Sequence, residues 1–232
     1  MTTVIREGAC DTGEVILNYA EIPSGGAPLV LLHGGSARWQ SFDSILPNLA
    51  QSFHIYAPDF RGHGKSGWVP GSYRLQDYTD DVIAFLEQCV VEPAFLFGHS
   101  LGGIVALLVA SQLPAGVRAV AVGDSPLSSQ TFYDVLHGTR DRIAAWRDLS
   151  GGQISMQNLI AALKDSPTEV PGRSEPVPMR EVMGEESPLF AWLATNLYQQ
   201  DPDMLAALID RFEDVAAGYE MEMVLPAIEC PV

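Results

Sequence analysis

The stretch Phe97-Gly98-His99-Ser100-Leu101-Gly102-Gly103 decides how the chain around it folds. A continuous apolar run at 94–97 leads into this stretch, and apolar residues at helical spacing follow it over 104–109. A short apolar run that ends at glycine is typical of a buried strand, and the spacing after it indicates a helix. The sequence therefore predicts a strand, a sharp turn at Ser100 and a helix.

The glycines on either side of Ser100 suit a turn at which the backbone is crowded. Gly-x-Ser-x-Gly between a strand and a helix is the sequence form of a turn that exposes a nucleophilic serine. A serine on so sharp a turn has unfavourable backbone angles, and Gly98 and Gly102 let neighbouring chain pass closely on both sides. The Ser100 hydroxyl is then expected at the helix N-terminus, where unpaired amides and the helix dipole favour developing negative charge.

Strand and helix patterns alternate along the first half of the chain. An early antiparallel strand is expected at 14–22. A helix is expected over 39–49, and another just before the elbow strand, which is the strand at 94–97 that leads into the Ser100 turn. Apolar runs predict further strands at 29–32, 54–58 and 117–122. This alternation predicts a mostly parallel sheet flanked by helices, with binding sites beyond the carboxyl ends of its strands.

The pattern changes to helices alone after about residue 127. Helices are predicted at 130–148, 155–164, 187–200 and 203–217, with a proline-rich loop between the second and third. We interpret these residues as a helical cap above the strand ends, with one or two of its aromatic side chains lining an apolar pocket. The predicted domains are a core over 1–124, a cap over 125–224, and the start of a return to the core over 225–232.

Composition narrows the class of partner. The 232 residues carry 13 basic and 29 acidic side chains, a formal charge of −16, which argues against nucleic acid and anionic membranes as partners. The N-terminus lacks the pattern of a secretory signal, and no apolar run is long enough to span a membrane. Three scattered cysteines predict neither a disulfide framework nor a metal site, so a cytoplasmic protein is expected. We expect a small-molecule substrate and no cofactor, while the oligomeric state stays open.

Three motifs in this order resemble the α/β-hydrolase fold family, specifically its capped, lipase- and esterase-like serine hydrolases. They are His33-Gly34-Gly35, Asp59-x-Arg61-Gly62-x-Gly64-x-Ser66 and Gly98-His99-Ser100-Leu101-Gly102-Gly103. The resemblance implies an α/β-hydrolase fold with a helical cap insertion. It also implies that the histidines within the motifs, together with Asp59 and Arg61, hold loops in place.

The same resemblance assigns chemistry to three residues. Ser100 is implied as the nucleophile, and the backbone amides of Gly35 and Leu101 are implied as the oxyanion hole. The expected reaction is acyl transfer on a small, largely apolar carboxylic ester, thioester or lactone, through an acyl-enzyme on Ser100. Two alternatives stay open: a carbon–carbon bond hydrolase or perhydrolase with the same motifs, and a non-catalytic small-molecule receptor or carrier on the same fold.

The chain departs from the family pattern in its general base. Catalytic residues of this fold run in the order serine, acid, histidine. The histidine that follows Ser100 is His137, inside the predicted cap, whereas the family's catalytic histidine follows the last strand. Asp124, at a predicted strand end, is a candidate acid, and the alternative is a plain turn residue before Ser125-Pro126. We therefore expect an N-terminal piece that lacks the last strands, with its histidine beyond Val232, and a chain that is inactive or nearly so.

Overall fold

Six strands form one mixed sheet in the computed structural model, which describes residues 4–232. The spatial order is β1-β2-β4-β3-β5-β6. Strands β3 to β6 run parallel to one another, while β1 and β2 form an antiparallel edge next to β4. The bounds are β1 Arg6–Asp11, β2 Ile16–Ile22, β3 Ala27–Leu32, β4 Phe53–Pro58, β5 Ala94–His99 and β6 Val117–Gly123. The predicted fold class, a mostly parallel sheet flanked by helices, is confirmed.

Helices cover the two faces of this sheet unequally. The helices of the core are α1 Leu46–Leu49, α2 Leu75–Phe85 and α3 Leu101–Gln112. On one face, α2 and α3 pack over the sheet and bury the largest apolar cluster. Because α3 is apolar on nearly every side, it lies fully inside this layer. The other face carries a smaller cluster beneath α1 and the 3₁₀ turn Trp39–Phe42.

The long helix predicted over 39–49 is wrong. The segment instead forms the 3₁₀ turn Trp39–Phe42 and the single turn α1, separated by exposed residues. Pro47 lies in the first turn of α1 and supplies no amide hydrogen to a preceding helix. Trp39, Phe42 and Leu46 are nevertheless buried. The apolar spacing therefore predicted which side chains are buried, but not the length of the helix.

Residues 125–224 are mainly helical. They form α4 Ser129–Gly138, α5 Arg140–Leu149, α6 Met156–Asp165, α7 Met179–Met183, α8 Leu189–Tyr198, α9 Pro202–Asp210, α10 Phe212–Val215 and α11 Met221–Val224. The loop between α6 and α7 contains a two-stranded ribbon, β7 Pro167–Thr168 with β8 Val177–Pro178, where no strand was expected. The chain then runs beside the outer edge of the sheet, where the Val120 amide donates to the carbonyl oxygen of Pro231 at 2.9 Å. The domain boundaries stay a prediction. The first three residues of the predicted core, 1–3, lie outside the described part of the chain.

The cysteine interpretation needs correction. Cys10, on β1, and Cys89, in the π-helical turn after α2, form a disulfide, and Cys230 is free. Two cysteines 79 residues apart in sequence meet because the sheet brings its edge strand over the end of α2. The cysteine count therefore no longer supports a reducing compartment, and a cytoplasmic location stays a prediction. In the described part of the chain, no helix is long and apolar enough to cross a bilayer.

Candidate active site

Ser100 occupies a strained turn between β5 and α3. Its φ is +52° and its ψ is −117°, a backbone conformation that is uncommon for a residue with a side chain. A Cβ atom on Gly98 would overlap with the backbone of Gly102, and one on Gly102 would overlap with the Leu32 carbonyl group of β3. The glycines are therefore needed because backbone segments touch on both sides of the serine.

Hydrogen bonds from β6 and the following loop hold this turn. The Ser100 amide donates to the Gly123 carbonyl oxygen at 2.9 Å, and the Ser125 hydroxyl donates to the Ser100 carbonyl oxygen at 2.8 Å. A Cβ atom on Gly103 would overlap with the Ser125 hydroxyl. The second glycine of the Gly-Gly pair therefore leaves room for the contact that fixes the turn.

The amides implied as an oxyanion hole lie near Ser100. Gly35 and Leu101 line the same cavity as Ser100, and within residues 4–232 neither backbone N–H has a hydrogen-bond acceptor. Leu101 begins α3, so its amide carries the positive end of the helix dipole. Gly34 packs against the ring of His99, while Gly35 is exposed with open space at its Cα. The arrangement offers two free donors to a developing negative charge.

Two buried histidines hold the Gly35 loop in place. The Phe60 amide donates to Nε2 of His33 at 3.0 Å, and the Ser36 amide donates to Nε2 of His63 at 3.3 Å. Each ring must then carry its proton on Nδ1, which donates to the backbone carbonyl oxygen of Gly34 or Arg61. Burial lowers the pKa of His33 to about 4 and that of His63 to about 3, so both rings are neutral donor–acceptor bridges near neutral pH.

Asp59 fastens the loop after β4 to the segment after the Gly35 loop. Its carboxylate accepts from the amides of Trp39 and Lys65 and from the side-chain amide of Asn18, at 2.8, 3.1 and 2.8 Å. Burial raises its pKa, and these hydrogen bonds act in the opposite direction.

Arg61 also holds the loop after β4 in place. Its buried guanidinium makes two hydrogen bonds to the Asp81 carboxylate, at 2.6 and 2.8 Å. A third hydrogen bond, at 3.1 Å, reaches the Ser72 carbonyl oxygen. Asp59 and Arg61 thus shape the loop beneath the Gly35 segment, and neither lines the cavities at Ser100.

Two cavities meet at Ser100 and Gly35. The smaller, about 120 Å³, lies between the core and the helices α4, α9 and α10. The larger, about 470 Å³, extends along the Gly35 loop to Trp146 of α5 and Trp192 of α8. The serine therefore lies where a bound molecule can extend to both sides, as an ester does on either side of its carbonyl carbon.

No general base contacts the nucleophile within residues 4–232, where the Ser100 hydroxyl has no hydrogen-bond partner. His137 is exposed on α4 and lines a separate cavity of about 70 Å³ beside α9. His99 is exposed at the wall of the larger cavity, and its ring has no hydrogen bond within the described residues. His54 lies on β4, where its Nε2 atom is 2.7 Å from the Glu21 carboxylate. Asp124 follows β6, is exposed and has a φ of +48°.

Sequence reasoning missed the side chains that join α8 and α9 to the loops around the sheet. The buried Asp201, which caps α9, accepts a hydrogen bond from the Tyr73 hydroxyl at 2.5 Å, and its amide donates to the Gly62 carbonyl oxygen at 2.9 Å. Arg38 donates to Asn196 of α8 at 2.9 Å. The Asp201-Pro202 pair is a typical helix start, so the sequence could indicate Asp201 as an N-cap residue. It could not indicate that Tyr73 bonds to this side chain.

Comparison with known proteins finds hydrolases among the relatives of this chain. A protein from Mesorhizobium japonicum named 2-(acetamidomethylene)succinate hydrolase is 35% identical over 115 residues, 49% of this chain and 41% of its own length. A 2-hydroxymuconate semialdehyde hydrolase from a Pseudomonas species is 33% identical over 101 residues, 42% of this chain and 36% of its own. The matched part thus spans less than half the length of these curated relatives.

Solved structures show the same fold over nearly the whole chain. The structure of an E-2-(acetamidomethylene)succinate hydrolase superposes with a TM-score of 0.70 at 20% identity, covering 99% of this chain and 79% of its own. A hydrolase from Pseudomonas aeruginosa gives a TM-score of 0.69 at 21% identity, over 100% and 79%. The sequence model of the alpha/beta hydrolase family matches residues 29–227. With its fold, its strained serine and this match, the chain belongs to the alpha/beta hydrolase family.

Proposed function

We propose that this protein is a serine hydrolase of the esterase type, which acts on a small, largely apolar ester, thioester or lactone through an acyl-enzyme on Ser100. The observation that carries the proposal is the strained Ser100 turn, placed between two cavities and beside two backbone amides without acceptors. A binding protein has no need for a serine held at positive φ beside two cavities, because such strain costs about 1–3 kcal/mol.

The proposed reaction has two steps. The Ser100 oxygen forms a bond to the substrate carbonyl carbon, its proton passes to a general base, and the carbonyl oxygen takes up negative charge facing the Gly35 and Leu101 amides. The bond to the leaving oxygen or sulfur then breaks, and the base returns the proton to that atom. Water, deprotonated by the same base, repeats the sequence and releases the acid. One donor of such a hole contributes about 3 kcal/mol to lowering the barrier.

The general base is the part of this mechanism that residues 4–232 do not place at Ser100. Without it the serine is a weak nucleophile, so we propose that the 232-residue chain has little turnover. We retain Asp124 as a candidate acid, supported by its position after β6 next to the elbow strand and by its strained φ.

Chemical rescue tests both parts of this proposal. Purified chain is incubated with a fluorophosphonate probe, with and without imidazole, and labelling is located by mass spectrometry. Free imidazole can occupy the space beside Ser100 and act as the base, so it is expected to speed labelling about tenfold or more, since general bases contribute about 10²–10⁴-fold. The matched control is Ser100→Ala, in which the labelling is lost under both conditions.

The outcomes separate the candidate functions. Labelling that persists in Ser100→Ala would refute Ser100 as the nucleophile. Fast labelling of the unchanged chain without imidazole would refute the proposal that the chain lacks a general base at Ser100. A folded chain that imidazole cannot activate would favour the receptor or carrier, which the unpartnered Ser100 hydroxyl also permits.

A further inference from the structure

The two cavities at Ser100 differ sharply in size. The smaller, at about 120 Å³, is slightly below an engineered apolar cavity of about 150 Å³ that binds benzene. It therefore admits a group of up to about five carbon atoms. The larger, at about 470 Å³, lies within the range of about 300–1,000 Å³ typical of sites for drug-sized ligands.

The smaller cavity is also the more apolar of the two. Most of its wall consists of aliphatic and aromatic side chains, including Ile104, Phe132, Leu136, Met204 and Leu208. Of its two tyrosines, Tyr73 has its hydroxyl bonded to Asp201, and Tyr78 has a buried hydroxyl oxygen without a hydrogen-bond partner in the described residues. No charged side chain lines it, so a carboxylate or ammonium group placed there would lose its hydration without compensation.

The larger cavity is open and aromatic. Its wall includes the exposed residues Ser41, His99 and Trp192, and the side chains of Trp146 and Phe97 add further aromatic surface. In acyl transfer the leaving group departs first, while the acyl group stays on the serine until water arrives. The group that departs first leaves more readily through the larger, more open cavity, so the smaller cavity suits the acyl group.

We infer that the preferred substrate joins a short, uncharged acyl chain of up to about five carbons to a bulkier, aromatic-compatible leaving group, with Leu208 limiting the acyl side and Trp192 contacting the leaving group. The inference rests on the proposed function, because it assigns the cavities to the two halves of an acyl-transfer substrate. Leu208 is half-buried on α9, so changing it alters the cavity with little loss of core packing.

Binding of uncleaved analogues tests the size limit. Anilides from acetanilide to octananilide carry a phenyl group for the larger cavity and acyl chains of increasing length for the smaller. Their dissociation constants are measured by calorimetry and by quenching of tryptophan fluorescence. Affinity is expected to rise about fourfold per methylene up to about five carbons, as burial of apolar surface predicts, and to fall beyond that length.

Three variants make the test specific. Leu208→Ala is expected to move the optimum to longer acyl chains, and Leu208→Phe to shorter ones. Trp192→Ala is expected to weaken all the anilides alike without moving the optimum. Affinity that rises steadily to octanoyl, no binding by any anilide, or an optimum that stays in place in both Leu208 variants would overturn the inference.

Ser100→Ala separates this inference from the proposed function. Anilide binding needs no nucleophile, so the variant is expected to show the same optimum as the unchanged chain. An optimum together with a serine that the fluorophosphonate probe never labels, even with imidazole, would leave the size limit of the smaller cavity standing, and would refute both the hydrolase proposal and the assignment of that cavity to an acyl group. A reactive serine without an optimum would refute the size limit and leave the hydrolase proposal standing.

Discussion

The Cys10–Cys89 disulfide gives a prediction whose size follows directly from the topology. The bond closes a loop of 79 residues from the edge strand β1 to the end of α2. In the chain-entropy treatment a loop of that length removes about 15 cal/mol/K from the unfolded state, which stabilises the fold by about 4.5 kcal/mol at 25 °C. Because a domain of this size unfolds with an entropy of about 2.1 cal/mol/K per residue, reduction should lower the melting temperature by about 10 °C.

The assay is urea unfolding of the oxidised and the reduced chain, followed by circular dichroism. With a urea dependence of about 3 kcal/mol/M, the midpoint should fall by about 1.5 M on reduction. Cys230→Ser is the matched control, because it removes the free cysteine and leaves the bond, so its reduction effect should equal that of the unchanged chain. Equal midpoints before and after reduction would refute the reasoning, as would three titratable thiols in the denatured, unreduced chain in place of one.

Three further predictions concern the scaffold of the site. The pKa values of His33 and His63 in the folded chain, about 4 and about 3, lie below the ordinary 6.5, so the unfolded chain binds protons first as the pH falls. Stability is therefore expected to drop between pH 6.5 and about 4, by about 3 kcal/mol for His33 alone, and urea unfolding that is unchanged over this range would contradict it. Gly102→Ala places a Cβ atom against the backbone of β3 and should cost at least about 2 kcal/mol by thermal unfolding, whereas Gly138→Ala, which meets open space, should be nearly neutral. Arg61→Met leaves a buried carboxylate unpaired and should cost about 3–5 kcal/mol by urea unfolding, and an unchanged midpoint would show that the ion pair contributes nothing.

The strands that the sequence predicted best are those with continuous apolar runs. The runs at 29–32, 94–97 and 117–122 became β3, β5 and β6. Strand β3 is buried on both faces, whereas several residues of β5 and β6 are partly or fully exposed. Strand β1 was missed, since residues 6–11 are charged or small, show no apolar alternation and lie mostly exposed on an edge. Edge strands carry little hydrophobic signal, and their pairing is set by the neighbour they meet.

The site residues divide in a similar way. Ser100, Gly35 and Leu101 were predicted from local motifs, and the structure brings all three to one cavity wall, while their catalytic roles stay predictions. The resemblance implied that His33 and His63 hold loops in place, but not which amides they bond. The Tyr73–Asp201 hydrogen bond and the disulfide were invisible, because each joins segments whose meeting depends on the packing between them.

The sequence by itself determined the Ser100 turn. Strand, glycines and helix lie within about a dozen residues, so local backbone conformation and short-range crowding are enough to specify it. Only the tertiary structure decided the two cavities at the serine and the neutral state of the buried histidines. Burial and cavity shape arise from side chains far apart in sequence, and no local pattern records which of them will meet.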